Sequence, residues 1–121
     1  DGPEARTPRY VQRAIRRAID DTASNTGMTL TVAFDYGGRA ELMAAVRALR
    51  ASTGTVAADR LAQHLYDPEL PEVDVVVRTS GEMRVSNFLL WQATGAAIHF
   101  TEAAWPDFDA ADLDRALDLV R

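Results

Sequence analysis

With 121 residues, 47% of them hydrophobic and 26% charged, the chain has the composition of one ordinary globular domain. The lack of cysteine excludes disulfides, thiolate metal sites and cysteine nucleophiles, and fits a cytoplasmic setting. A net charge of −5 argues against nucleic-acid binding, and no apolar run has the length of a membrane span or the form of a signal peptide, so membrane contact is expected to be peripheral at most.

Residues 1–7 hold Gly2 and Pro3 and read as loop. Thr7-Pro8 then predicts a helix start, with Thr7 as N-cap and Pro8 in the first turn. Val11, Ile15, Ala18, Ile19 and Thr22 recur at helical spacing, and Arg9, Arg13, Arg16 and Arg17 form a solvated face. After Asn25-Thr26-Gly27, residues 29–34 predict a strand that runs into the turn Asp35-Tyr36-Gly37-Gly38-Arg39. A helix is expected from about Ala40, with Leu42, Ala45, Val46 and Leu49 buried. Another, capped by Thr55, carries Val56, Leu61 and Leu65.

Residues 73–77, a β-branched run between Pro71 and Gly81, predict a buried central strand. A polar loop with Arg78 and Arg84 follows, then a helix from Phe88 capped by Ser86 or Asn87. A strand end, two guanidiniums and a helix N-terminus suit an anion, although no Gly-Lys-Ser/Thr follows Gly81 as a Walker loop requires. Residues 98–100 predict a short third strand. Asp109 caps a last helix with Leu113, Ala116, Leu117 and Val120 on its buried stripe, and Phe108 stapled to Leu113.

This alternation defines an α/β fold, an open parallel sheet covered by helices. Both glycine-containing loops follow the carboxyl ends of strands, where such sheets bind ligands. Two good strands and a weak one are a thin sheet for so many helices, so the sheet is expected to be incomplete in this chain.

The run Arg78-Thr79-Ser80-Gly81-Glu82-x-Arg84-x-Ser86-Asn87-Phe88-Leu89-Leu90-Trp91-Gln92 resembles the signature of the cis-prenyltransferase (undecaprenyl diphosphate synthase) family. Ala33-Phe34-Asp35-Tyr36-Gly37-Gly38-Arg39-Ala40-Glu41-Leu42 and the segment from Phe100-Thr101 to Trp105-Pro106-Asp107-Phe108 extend the likeness in the same order. The resemblance implies that residues 1–121 are the carboxyl-terminal portion of one such domain. Nothing here matches the family's amino-terminal aspartate motif, nor the Arg-x-Gly tail after Arg121.

The family condenses isopentenyl diphosphate with an allylic diphosphate using magnesium. By resemblance, Arg78, Arg84 and Ser86 grip the diphosphate of isopentenyl diphosphate, and Glu82 stands beside them in an electrostatic or water-mediated role. The family's metal-binding glutamate corresponds to Ala97, and its nearby tyrosine to Gly95, so this chain offers no metal ligand there, with His99 and Glu102 the remaining candidates. No catalytic residue is expected in the chain, and the isolated polypeptide should be inactive. It is expected to act as part of a prenyltransferase completed by its missing half or by a second polypeptide, in a homodimer or heterodimer. The alternative is a non-catalytic subunit that stabilises and completes a catalytic partner.

Overall fold

A computed structural model describes residues 7–53 and 57–121. Two compact units make up the chain, Asp1–Tyr36 and Gly37–Arg121. Thr55, the expected cap, and Val56 lie outside the described residues, as do residues 1–6 of the expected leading loop. Among the described residues no helix is long and apolar enough to cross a membrane.

In the first unit, α1 spans Arg9–Thr22 with Pro8 at the N-cap position, one residue beyond the cap expected at Thr7. Proline suits a helix start because its missing N–H would have no helical acceptor there. The helix buries no residue; Ile15 and Ile19 on its apolar stripe stay exposed. Residues 29–34 form no regular element in place of the expected strand. Strand character requires ladder hydrogen bonds, and no described residue supplies them; Leu30 and Val32 are exposed.

The second unit holds α2 (Gly38–Thr53), α3 (Ala58–Ala62), β1 (Val75–Arg78), β2 (Ala97–Phe100) and α4 (Ala110–Leu117), with a 3₁₀ turn at Trp105–Asp107. The sheet is two parallel strands, with Val75 opposite Ala97 and Arg78 opposite Phe100. Ala45 and Leu49 are fully buried and cluster with Leu61 and Leu65, flanked by Leu42, Val46, Ala62 and Trp91. The i, i+4 spacing of Ala45 and Leu49 puts both on the core face of α2.

The predicted cap of α4 is present, and as a full capping box: Asp109 accepts from Asp112 N at 3.0 Å while Asp112 accepts from Asp109 N at 3.3 Å. That second bond, joined by Arg115, holds the Asp112 carboxyl below its ordinary range against its partial burial. The expected stripe is displaced: Ala116 and Asp112 are the buried residues, Leu117 is half-buried, and Leu113 and Val120 are exposed. Phe108 stacks on Trp105, with ring centroids 6.0 Å apart.

The helix expected from Phe88 is replaced by turns. Leu89 takes a φ of 46°, left-handed backbone that a helix cannot continue through. One helical bond survives, Ala93 N to Leu89 O at 2.8 Å, before Gly95 ends the segment at a φ of 137°. Leu49→Ala should lower the unfolding free energy by about 2–5 kcal/mol, whereas Met43→Ala, on the exposed face of the same helix, should shift it by about 0.5 kcal/mol or less. Urea unfolding curves of the two variants measure the contrast.

Candidate functional site

The site forms where β1 ends. Thr101 N donates to Arg78 O at 3.0 Å, Gly81 N to Thr101 O at 2.9 Å, and Ser80 N to Ala103 O at 2.8 Å. These bonds carry strand-like pairing beyond the ladder into the loop. Ser80 and Gly81 both take a φ of 67°, which reverses the chain within two residues. Glycine suits the second position because of that left-handed φ, and a Cβ there would lie 2.6 Å from the Glu102 carboxylate, which would have to swing aside. Glu102 therefore sits against the loop.

Arg78, Arg84 and Ser86 line one cavity of about 220 Å³. Its remaining walls come from Val76, Val77, Val85, Phe88, Leu90, Ala93 and Ile98, so a cationic rim meets an apolar interior. Glu82 bridges the two arginines. Its carboxylate pairs with Arg78 Nη2, and Arg84 Nη2 lies 3.1 Å from Oε2 and 3.2 Å from Oε1. Arg78 is the sheltered partner, with its side chain 18% exposed against 70% for Arg84. Among the described residues, the buried Nε of Arg78 has no hydrogen-bond partner. Leaving such a donor unpaired is costly.

Because no helix starts at Phe88, Ser86 is not a helix cap, and cationic character at the cavity comes from the guanidiniums rather than a helix dipole. Asn87 does cap a helix, but a different one: its Oδ1 accepts from Arg39 N at 2.9 Å and its carbonyl from Gly38 N at 2.9 Å. The sequence reading missed this tie. The paired glycines were its only signal, since they mark a place where another backbone approaches.

Glu41 was missed too. At 2% exposure, its carboxylate accepts from Tyr66 N at 3.0 Å and from Gln92 Nε2 at 3.2 and 3.3 Å. It thereby joins α2, the turn after α3 and the segment that follows the cavity wall. A charged acceptor in the first turn of a helix is also favoured there by the helix dipole.

Other candidate residues stand elsewhere. Ala97 opens β2 at the end of the sheet away from Arg78, three residues or roughly 10 Å before Phe100. His99 lies opposite Val77, and its Nε2 is buried without a partner among the described residues. Among those residues no three His, Cys, Asp or Glu side chains gather as a metal would require. At the position that the resemblance assigns to the metal-binding glutamate stands Ala97, whose side chain offers magnesium no oxygen.

A parallel pair of strands covered by helices, with two arginines at the carboxyl end of β1, is an α/β architecture of the kind that binds ligands at strand carboxyl ends. The family model for undecaprenyl diphosphate synthase matches residues 2–119. The chain belongs to this family of cis-prenyltransferases. It is 44% identical over 117 residues to an isoprenyl transferase of Neisseria gonorrhoeae, covering 96% of this chain and 47% of that protein. Against the ditrans,polycis-undecaprenyl-diphosphate synthase of Escherichia coli K12, identity is 43% over 124 residues, covering 97% and 49%. A crystal structure of a probable undecaprenyl diphosphate synthase from Campylobacter jejuni superposes with a TM-score of 0.83 at 27% identity, covering 100% of this chain and 57% of that one. The chain thus spans about half the length of the curated relatives it matches.

The Glu82 bridge has a pH signature. Hydrogen bonding from Arg78, then from Arg84, holds the Glu82 carboxyl below its ordinary range. A lowered value means that the order the bridge gives the loop is complete above the ordinary carboxylate pKa and is lost as pH falls through the depressed one. An NMR titration of the Glu82 side chain should show its transition below the ordinary carboxylate range. Arg78→Ala and Arg84→Ala should each move it up.

Proposed function

We propose that this chain supplies the isopentenyl diphosphate site of a cis-prenyltransferase that condenses isopentenyl diphosphate, or a short allylic diphosphate, with an allylic diphosphate. The observation that carries the reading is the convergence of Arg78, Arg84 and Ser86 on one apolar-walled cavity. Diphosphate oxygens suit the two guanidinium forks and the serine hydroxyl. Val85, Phe88, Leu90 and Ile98 suit the short hydrocarbon tail. Glu82 keeps the guanidiniums aligned while no anion is bound.

In this reading the chain binds and orients one substrate. Loss of the allylic diphosphate needs charge neutralisation by magnesium, for which the side chain of Ala97 supplies no ligand. The remaining half of the family domain, or a second polypeptide, would provide them. A second reading, a non-catalytic subunit that completes a catalytic partner, is favoured by one feature: Gly95 and Ala97 carry no donor where the family places its tyrosine and metal-binding glutamate. A magnesium-dependent assay with labelled isopentenyl diphosphate, run on the native complex and on its separated polypeptides, distinguishes the two.

Arg78→Ala and Arg84→Ala should each weaken isopentenyl diphosphate binding roughly tenfold to a hundredfold, the equivalent of about 1.5–3 kcal/mol per charge-assisted contact. Arg50→Ala should leave it unchanged, since Arg50 stands in the last turn of α2, about 18 Å along the helix from Gly38. Lysine at position 78 or 84 should recover only part of the loss, because it keeps the charge without the fork. Calorimetric titration reads all of these constants.

A further inference from the structure

We infer that Asn87 is a positioning residue for this cavity, fixing the arginine loop on the amino terminus of α2 and so setting where Ser86 and Phe88 stand. The inference rests on the reading of the cavity as a diphosphate site. Asn87 is not among the residues that line the cavity, but both of its chain neighbours are. Any effect it has on a ligand must therefore pass through them.

The first four N–H groups of a helix find no acceptor within it. In α2 the Gly38 and Arg39 groups are both satisfied by Asn87, one by its carbonyl and one by its side chain, each at 2.9 Å. Such a cap normally comes from the residue just before the helix. Here it comes from a residue 48 positions away in sequence. The bond that finishes the helix end is thus the same bond that anchors the loop.

The two glycines make this approach possible. A Cβ on Gly37 would lie 3.0 Å from Asn87 Nδ2, and one on Gly38 would lie 3.0 Å from Leu90 Cγ and 3.1 Å from Leu90 N. Leu90 is itself a wall of the cavity. Residues 87–90 rest directly on the helix end, and a single methyl group there would lift them. Upstream, the loop is tied through Gly81 N to Thr101 O. Arg84 and Ser86 lie between these two ties, so the Asn87 bonds fix the span one residue beyond Ser86, well before Gln92 is held by Glu41.

The test measures isopentenyl diphosphate binding to the full-length protein by calorimetry. Asn87→Ala should raise the dissociation constant about tenfold, the size of one lost hydrogen bond. Asn87→Asp keeps an acceptor for Arg39 N–H and should recover most of that loss. Gly38→Ala, which favours the helix itself, should weaken binding by displacing Leu90, and it serves in place of Asn87→Ala should that variant fail to fold. Combined with Ser86→Ala, the Asn87→Ala loss should fall short of additivity, because the two act on the same contact. Parental binding by both Asn87→Ala and Gly38→Ala, or strict additivity with Ser86→Ala, overturns the positioning role provided Arg78→Ala weakens binding. Parental binding by Arg78→Ala overturns the diphosphate site itself, and the inference with it.

Discussion

The parallel pairing of β1 with β2 is the constraint on which the site depends. Its register sets Arg78 opposite Phe100, at the last step of the ladder. From there Thr101, Gly81, Ser80 and Ala103 prolong the pairing into the loop. A guanidinium leaving a strand end would ordinarily swing in solvent, and ordering so long a side chain costs on the order of 1.5–2 kcal/mol of rotamer entropy. Here the backbone beneath it is held in a ladder, and Glu82 holds its tip. The cation is oriented before any ligand arrives.

Charge is concentrated in the same place. The protein as a whole is acidic, yet Arg78 and Arg84 converge on one cavity with a single carboxylate between them. An exposed ion pair such as Arg84 with Glu82 contributes little to stability, being screened by solvent and opposed by side-chain entropy. Its value lies in geometry: one carboxylate holds two guanidiniums close together at the same cavity. Apolar walls behind that rim lower the local dielectric and strengthen whatever charge-assisted bonds form there.

The fold and the family were largely legible in the sequence. Periodicity located α1, α2 and α4. A β-branched run located β1, and the Asp109 cap was readable because its partner Asp112 is three residues away. Buried positions were harder. Ala45 and Leu49 followed the stripe, whereas Leu113 and Val120 did not, because a stripe states which face is apolar and not whether anything covers it. Residues 29–34 have the composition of a strand, but a strand exists only by pairing, and pairing is a property of two segments.

The sequence by itself determined the local chemistry: which residues carry charge, which turns need glycine, and where Asp109 begins a helix. It also placed Arg78, Arg84 and Ser86 within one short loop. Tertiary structure decided what those residues face. Asn87 reads equally well as the cap of a helix starting at Phe88, and its own neighbours cannot distinguish that role from the one observed. Only the arrival of the α2 end, supplied 48 residues earlier, gave its oxygens better donors, and with Leu89 in left-handed backbone the local helix gave way to turns. Short-range hydrogen bonds can be read from spacing because the chain itself brings the partners together; long-range ones depend on which distant segment packs there first.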